Sequence, residues 1–511
     1  MAGPTRGWGA RRRRRLAWLA LAVAALFIAD ACGARTAPYL GGDVQAGQKS
    51  SSGGDTSNTV AGGDSSTGSG TETGGATASG TNTGGGTNTN TGTKSGGGGA
   101  QPQVADAKAF DYSPKAEAAA CPGSNGNTAS DVGITPTEIT VGNVSGLSGV
   151  ITNSFEHGPA AVQALFAAVN AAGGICGRKL KLVVEDDGQD AARNAADVND
   201  LKGKVFAFVG STSDADNAGV QAMVDAKVPD VGFAINANRG QSPVFWSANG
   251  STLYTQGNPP KPYSWNGLQN GLKDNNDMPK RLAVLSYSIP ISADAAHQFA
   301  YTFKQAGAQI CFEDYSISPA TASLDSDVLQ MKQNNCDGVT TTMDISGNTK
   351  LLQSIQRQNY HMPYVSVTFV GYDPAQIDLP GKDAAQGLRV TLPFVPFSDD
   401  NTVMKLYKSQ VATYQPNSHP SGFGVEAWAA GQMFIYALLK AGRNPTRASI
   451  TAAFNALENY DTGGAFSPTT PRLRRPNGPC IVETEVKGDD FIRRWPKTGM
   501  YCNAQLVPAS P

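Results

Sequence analysis

The side chains able to do chemistry are sparse and badly spaced for catalysis. The four histidines, His157, His297, His361 and His419, lie far apart in the chain, with no His-Glu-x-x-His or His-x-His spacing for a metal ion. Gly146-Leu147-Ser148-Gly149 misses the Gly-x-Ser-x-Gly pattern of an exposed serine nucleophile by one position. Thr91-Gly92-Thr93-Lys94-Ser95 lacks the Gly-Lys-Ser/Thr core of a phosphate loop. Glu185-Asp186-Asp187 are consecutive, and spacing alone does not make them an acid/base pair. The expectation is therefore a protein that is not an enzyme and carries no metal and no cofactor. Hydroxyls and acids at strand ends point instead to binding.

Seven cysteines occur. Six of them, Cys121, Cys176, Cys311, Cys336, Cys480 and Cys502, form an even set, which in an exported chain suggests disulfides. Six cysteines allow 15 pairings; proximity and strand layout favour 121–176, 311–336 and 480–502. No close Cys pair accompanies a His cluster, so zinc spacing is absent.

Export is written at the start of the chain. Arg6 and residues 11–15 (RRRRR) form a cationic segment, and residues 16–28 (LAWLALAVAALFI) an apolar one. That run is too short for a comfortable membrane span. Ala29-Asp30-Ala31-Cys32 resembles a bacterial lipobox, which implies lipidation of Cys32; a simply cleaved signal and a twin-arginine signal are the alternatives. Residues 1–31 are read as a signal peptide and 32–120 as a disordered tether. The stretch 41–103 is Gly, Ser, Thr and Asn with almost nothing to bury, so it cannot offset the entropy of ordering. Roughly 60 such residues reach about 40–45 Å. The 511 residues carry 41 Lys+Arg and 42 Asp+Glu, a balance that gives no reason to expect a nucleic-acid partner.

The elements that must position any site alternate. Residues 139–144 (ITVGNV) read as a strand. The next helix, 157–172, carries Val162, Leu165, Phe166 and Val169 on one face and stops at Gly173-Gly174. Strand 180–185, a helix N-capped by Asp190, strand 205–209 (VFAFV), a helix around Met223 and strand 231–234 follow. The order recurs from residue 281: strands 281–287, 309–315, 338–343 and 364–369, each followed or preceded by a helix. This βαβ order predicts two α/β lobes, each with a doubly wound parallel sheet. They span 121–255 and 256–390. Segment 391–511 is expected to return helices to the first lobe and end in a hairpin at 480–502.

Residues 139–149 (ITVGNVSGLSG) resemble the opening strand and first ligand loop of the branched-chain amino-acid binding family of ABC-transporter substrate-binding proteins. Residues 169–190 (VNAAGGICGRKLKLVVEDDGQD) resemble that family's helix-end and second-strand signature. Residues 205–211 (VFAFVGS) and 226–234 (AKVPDVGFA) match its next two strands in order and spacing, and 338–344 and 371–374 (GYDP) fit its second lobe. The resemblance covers about 135–457. It implies a type I periplasmic-binding-protein fold with a hinge between the lobes. It also implies a monomer that captures a small polar solute, an amino acid or related amide or acid, in the cleft. Delivery would be to an ABC permease and its ATPase at the outer face of the cytoplasmic membrane. A sensory module of the same fold without transport is the alternative.

The resemblance also implies where the ligand sits. Ser148 and Phe155 belong to the first loop. Ser211, Thr212 and Ser213 follow a strand and open a helix, where hydroxyls either meet a carboxylate or cap the helix; the aligned position there is Asp214 as readily as Ser213. Ala234 and Asn236 would meet an ammonium group. From the second lobe come Tyr287, Asp344, Tyr372 and Asp373, the acids being partners for a ligand amine and the aromatics walls or core. For residues 185–187 the readings are a ligand crevice at the sheet edge or helix capping and loop solubility.

Overall fold

The computed structural model describes residues 120–122, 126–151, 153–250, 254–256, 261–474 and 478–508. The signal peptide, the tether up to residue 119 and Cys32 lie outside them. All described residues fall in the second of the two units into which the chain divides, Thr93–Pro511.

The first lobe is built from β1 (Glu138–Ser145), α1 (His157–Ala171), β2 (Lys179–Asp186), α2 (Ala191–Leu201), β3 (Phe208–Val209), α3 (Val220–Asp225), β4 (Asp230–Val231) and β5 (Phe245–Trp246). Its sheet has the order β2-β1-β3-β4-β5, all parallel. Asp190 caps α2 by accepting from Arg193 N–H at 2.9 Å, as its place before the helical pattern predicts. The runs at 205–209 and 231–234 are buried throughout, yet the strands there are only two residues long, Phe208–Val209 and Asp230–Val231, the second starting one residue before its run. The first ladder ends at Gly210, whose φ of +69° turns the chain away; a Cβ there would sit 2.7 Å from Val162 Cγ2.

Two strands, β6 (Tyr254–Gln256) and β7 (Lys261–Trp265), lead into the second lobe. It contains α4 (Gly267–Asp274), β8 (Arg281–Tyr287), α5 (Pro290–Gln305), β9 (Gln309–Ile317), α6 (Asp325–Gln333), β10 (Gly338–Thr341), α7 (Ile345–Arg357), β11 (Tyr364–Thr368) and β12 (Leu388–Leu392). Helices α8 (Thr402–Tyr414), α9 (Gly422–Ala441) and α10 (Arg447–Asn455) follow, then β13 (Val482–Lys487), β14 (Asp490–Trp495) and β15 (Leu506–Pro508). The second sheet runs β14-β13-β12-β11-β10-β8-β9. The terminal hairpin extends it antiparallel at β12. A third sheet, β15-β7-β6, unites the end of the chain with the entry to the second lobe; the sequence pattern did not signal it.

Helices α8 and α9 pack on α1 of the first lobe. Every residue of α9 from Gly422 to Leu438 is buried, which explains a helix with no polar face. The six cysteines pair as 121–176, 311–336 and 480–502, as proximity and layout predict. Behind the strand ends of the first lobe sits a buried ionic cluster. Arg239 grips Asp230 through Nε and Nη2 at 2.7 and 2.9 Å and reaches Asp216 at 3.2 Å.

Candidate functional site

Where the two sets of strand ends face each other, four aromatic rings meet. Phe155 packs on Phe423 at 5.0 Å between centroids, and Phe369 packs on Phe423 at 5.3 Å and on Phe233 at 5.2 Å. Beside them opens a cavity of about 280 Å³, just under the usual range for small-molecule sites. The first lobe lends it Phe155, Asp214, Phe233 and Ile235; the second lends Tyr287, Ile289, Met343, Asp344 and Phe369.

The cavity does not stop at the cleft. It continues into the second lobe along one face of α5, touching Ile291, Ser292, Ala295, Gln298, Phe299 and Thr302. From Ser292 to Thr302 this face covers about 15 Å at 1.5 Å per residue. The opposite wall is the sheet, where Thr340, Ser366, Thr368 and Thr391 face the space. Buried strands usually carry Val, Ile or Leu at such positions; these short side chains leave room that larger ones would fill. Trp265 and Gln269 also border this extension.

Charge is confined to the cleft end. Among the described residues of the wall, the carboxylates are Asp214 and Asp344, and no Lys, Arg or His contributes. Asp344 is fixed between β10 and α7 because it caps α7, accepting from Gly347 N–H at 2.8 Å. It also accepts from the Tyr287 hydroxyl at 2.5 Å. Burial, then the nearby carboxylate, holds the Tyr287 phenol well above its ordinary range. Burial, reinforced by Asp216, Asp344 and Asp187, pushes the Asp214 carboxyl up to about 7. A group with that value is partly protonated at neutral pH and can donate as well as accept.

Of the residues expected at the ligand, the structure gathers Phe155, Tyr287 and Asp344 around this cavity. The others have different partners. Ser211 Oγ accepts from Val144 N–H at 3.1 Å and Ser213 Oγ from Ala215 N–H at 3.1 Å. Thr212 is buried and its N–H bonds Ser145 Oγ. Ser148 is exposed, with its N–H on Asp186 at 3.1 Å. Ala234 is buried, and Asn236 donates to Asp214 O and Asp216. Tyr372 packs among Phe394, Phe397 and Phe491 and accepts from Phe397 N–H. Asp373 is held by His419 at 3.0 Å and by Ala375 N–H at 2.8 Å. The acids at the end of β2 brace loops: Asp186 accepts from the N–H groups of Leu147, Ser148 and Gly188, and Asp187 from Gln189 N–H and the Asn194 side chain.

The family model for periplasmic binding proteins matches residues 138–485. The chain belongs to this family. Its members bind small-molecule solutes outside the cytoplasm, work with ABC transporters and are not enzymes. Solved periplasmic binding proteins share the fold. A fatty acid ABC transporter substrate-binding protein from Thermomonospora curvata superposes with a TM-score of 0.60 at 20% identity, covering 73% of this chain and 94% of that one. A branched-chain amino acid substrate-binding protein from Streptococcus pneumoniae, in complex with isoleucine, gives 0.58 at 14% identity, covering 73% and 100%. One from Thermus thermophilus with bound valine gives 0.57 at 14%, covering 72% and 97%. A search of curated proteins found no match.

Proposed function

We propose that this periplasmic binding protein captures an elongated amphiphile, an aliphatic body with a polar end, and delivers it to an ABC permease. The observation that carries this reading is the cavity's extension along α5. A branched-chain amino acid would occupy the cleft end alone and leave that extension unused. An α-amino acid also brings a carboxylate, and among the described residues the cleft end offers Asp214 and Asp344 but no cation. A hydroxyl, amide or amine suits those acids better. The likeness in fold to a fatty acid ABC transporter substrate-binding protein from Thermomonospora curvata supports the aliphatic part of this reading. Tethering through Cys32 belongs to the same reading, since it would keep the binding domain near its permease.

The test is a thermal-shift screen of the mature protein, because a ligand that binds only the native state stabilises it by RT ln(1 + [L]/Kd). Decanol, decanamide and decylamine should raise the melting temperature more than leucine or valine at equal concentration. The opposite order would restore an amino-acid cargo. A shift with no solute of either kind would favour a role without transport.

A further inference from the structure

The four histidines show no metal-binding spacing in the sequence, yet the fold brings two of them together beside an acid. The rings of His157 and His419 lie 3.9 Å apart between centroids. One ring nitrogen of each, and one carboxylate oxygen of Asp373, all fall within 4.8 Å of one another. The three residues come from three segments: His157 opens α1 in the first lobe, Asp373 follows β11 in the second, and His419 lies in the loop between α8 and α9. We propose that His157, Asp373 and His419 form a site for a divalent transition-metal ion that ties the first lobe to the second.

The donor set is two imidazoles and one carboxylate, a combination that zinc, cobalt and nickel accept. His419 Nε2 lies 3.0 and 3.1 Å from the two Asp373 oxygens. Two ligands at about 2.0–2.1 Å from a tetrahedral ion stand roughly 3.3 Å apart, so replacing the shared proton by a metal needs little movement of this pair. His157 must move further, and its side chain is only half-buried. Outer contacts already orient the donors. Ser418 Oγ lies 2.8 Å from His157 Nδ1, and Ala375 N–H donates to Asp373 Oδ1 at 2.8 Å; such second contacts are usual around metal ligands. The Asp373 side chain is 3% exposed and that of His419 39%, so the acid is sheltered while the ion has a route in. A fourth position remains for water.

The location gives the ion work to do. Phe155 and Phe423, both in the cavity wall, stand two residues before His157 and four after His419. An ion held by both lobes stabilises the arrangement in which these rings meet. By linkage it strengthens solute binding, and the solute strengthens metal binding by the same factor.

The experiment uses mature protein without a histidine tag, stripped with EDTA, and titrates Zn2+ by calorimetry and Co2+ by visible absorption. The expected result is one ion per chain, a raised melting temperature, and a Co2+ spectrum typical of a low-symmetry nitrogen and oxygen site. His157→Asn and His419→Gln should each lower Zn2+ affinity by at least ~100-fold, beyond the loss usual for an outer contact. Both should keep the metal-free melting temperature within the range of the parent protein; if one does not, the other serves. Equal Zn2+ affinity in parent and variants, or no binding in the parent at millimolar metal, would overturn the site. This outcome is independent of the cargo, since it is read without solute.

Discussion

Ala295→Leu plugs the extension that distinguishes this cavity from a cleft. Ala295 stands on the α5 face that lines it, one turn from Ser292 and one from Phe299. Leucine and alanine have similar helix propensities, so the helix itself is little affected. The change adds three carbon atoms. At about 0.8 kcal/mol per buried methylene, filling the space stabilises the solute-free protein by up to ~2.4 kcal/mol. Bound solute at a hundred times its Kd adds about 2.7 kcal/mol to the parent protein; in the variant this increment should vanish for decanol. Urea unfolding with and without decanol measures both quantities. Unchanged decanol affinity would refute the placement of the aliphatic body along α5. Destabilisation of the solute-free variant by ~1–3 kcal/mol, the usual result of overpacking, would show that the space is not there.

Three other outcomes are expected. Asp214→Asn should stabilise the domain at about pH 8 and not at about pH 4: a carboxyl raised from 3.8 to about 7 contributes fold stability below the lower value that is lost as pH rises through the upper one, an effect of at most ~4 kcal/mol, and equal gains at both pH values in thermal melts would count against it. Arg239→Met leaves Asp230 and Asp216 buried without their cation and should cost about 3–5 kcal/mol in urea unfolding; a loss under ~1 kcal/mol would contradict the role given to this cluster. At the far end of the cavity the buried Trp265 Nε1, Gln269 Oε1 and Gln298 Oε1 have no hydrogen-bond partner among the described residues, so a diol of matched length should bind more tightly than the corresponding alcohol, by roughly the worth of one hydrogen bond, ~1 kcal/mol. Trp265→Phe should reduce that preference in calorimetry, and a preference for the plain alcohol at every length would show that the far end does not read a polar group.

The fold was legible because each local signal agreed with the next. The Val162–Val169 stripe, the Asp190 cap and the buried run at 205–209 each demand a βαβ order, and that order brings the cysteine pairs within bonding distance. Tyr287 and Asp344 were expected from the sequence near a parallel-sheet edge, where crevices form; Tyr287 ends β8, Asp344 follows β10 as the cap of α7, and both line the cavity. The rest depends on contacts that no local pattern encodes. Phe423 reaches the cavity from a helix near the other end of the chain. Ser211 and Ser213 carry the right groups at the right place, but neighbouring backbone N–H groups use them. The extension along α5 exists because Thr340, Ser366 and Thr391 are short where the sheet is covered; in the sequence they read only as polar strand residues. The His157–Asp373–His419 group joins three distant segments, so spacing rules miss it.

The account stands most directly on a chain-length series of primary alcohols measured by calorimetry. If the aliphatic body lies along α5, each added methylene should strengthen binding by ~0.8 kcal/mol, about fourfold, until the chain meets Trp265 and Gln269 and the gain stops. Affinity that ignores chain length, while leucine or valine binds more tightly than any alcohol, would contradict it.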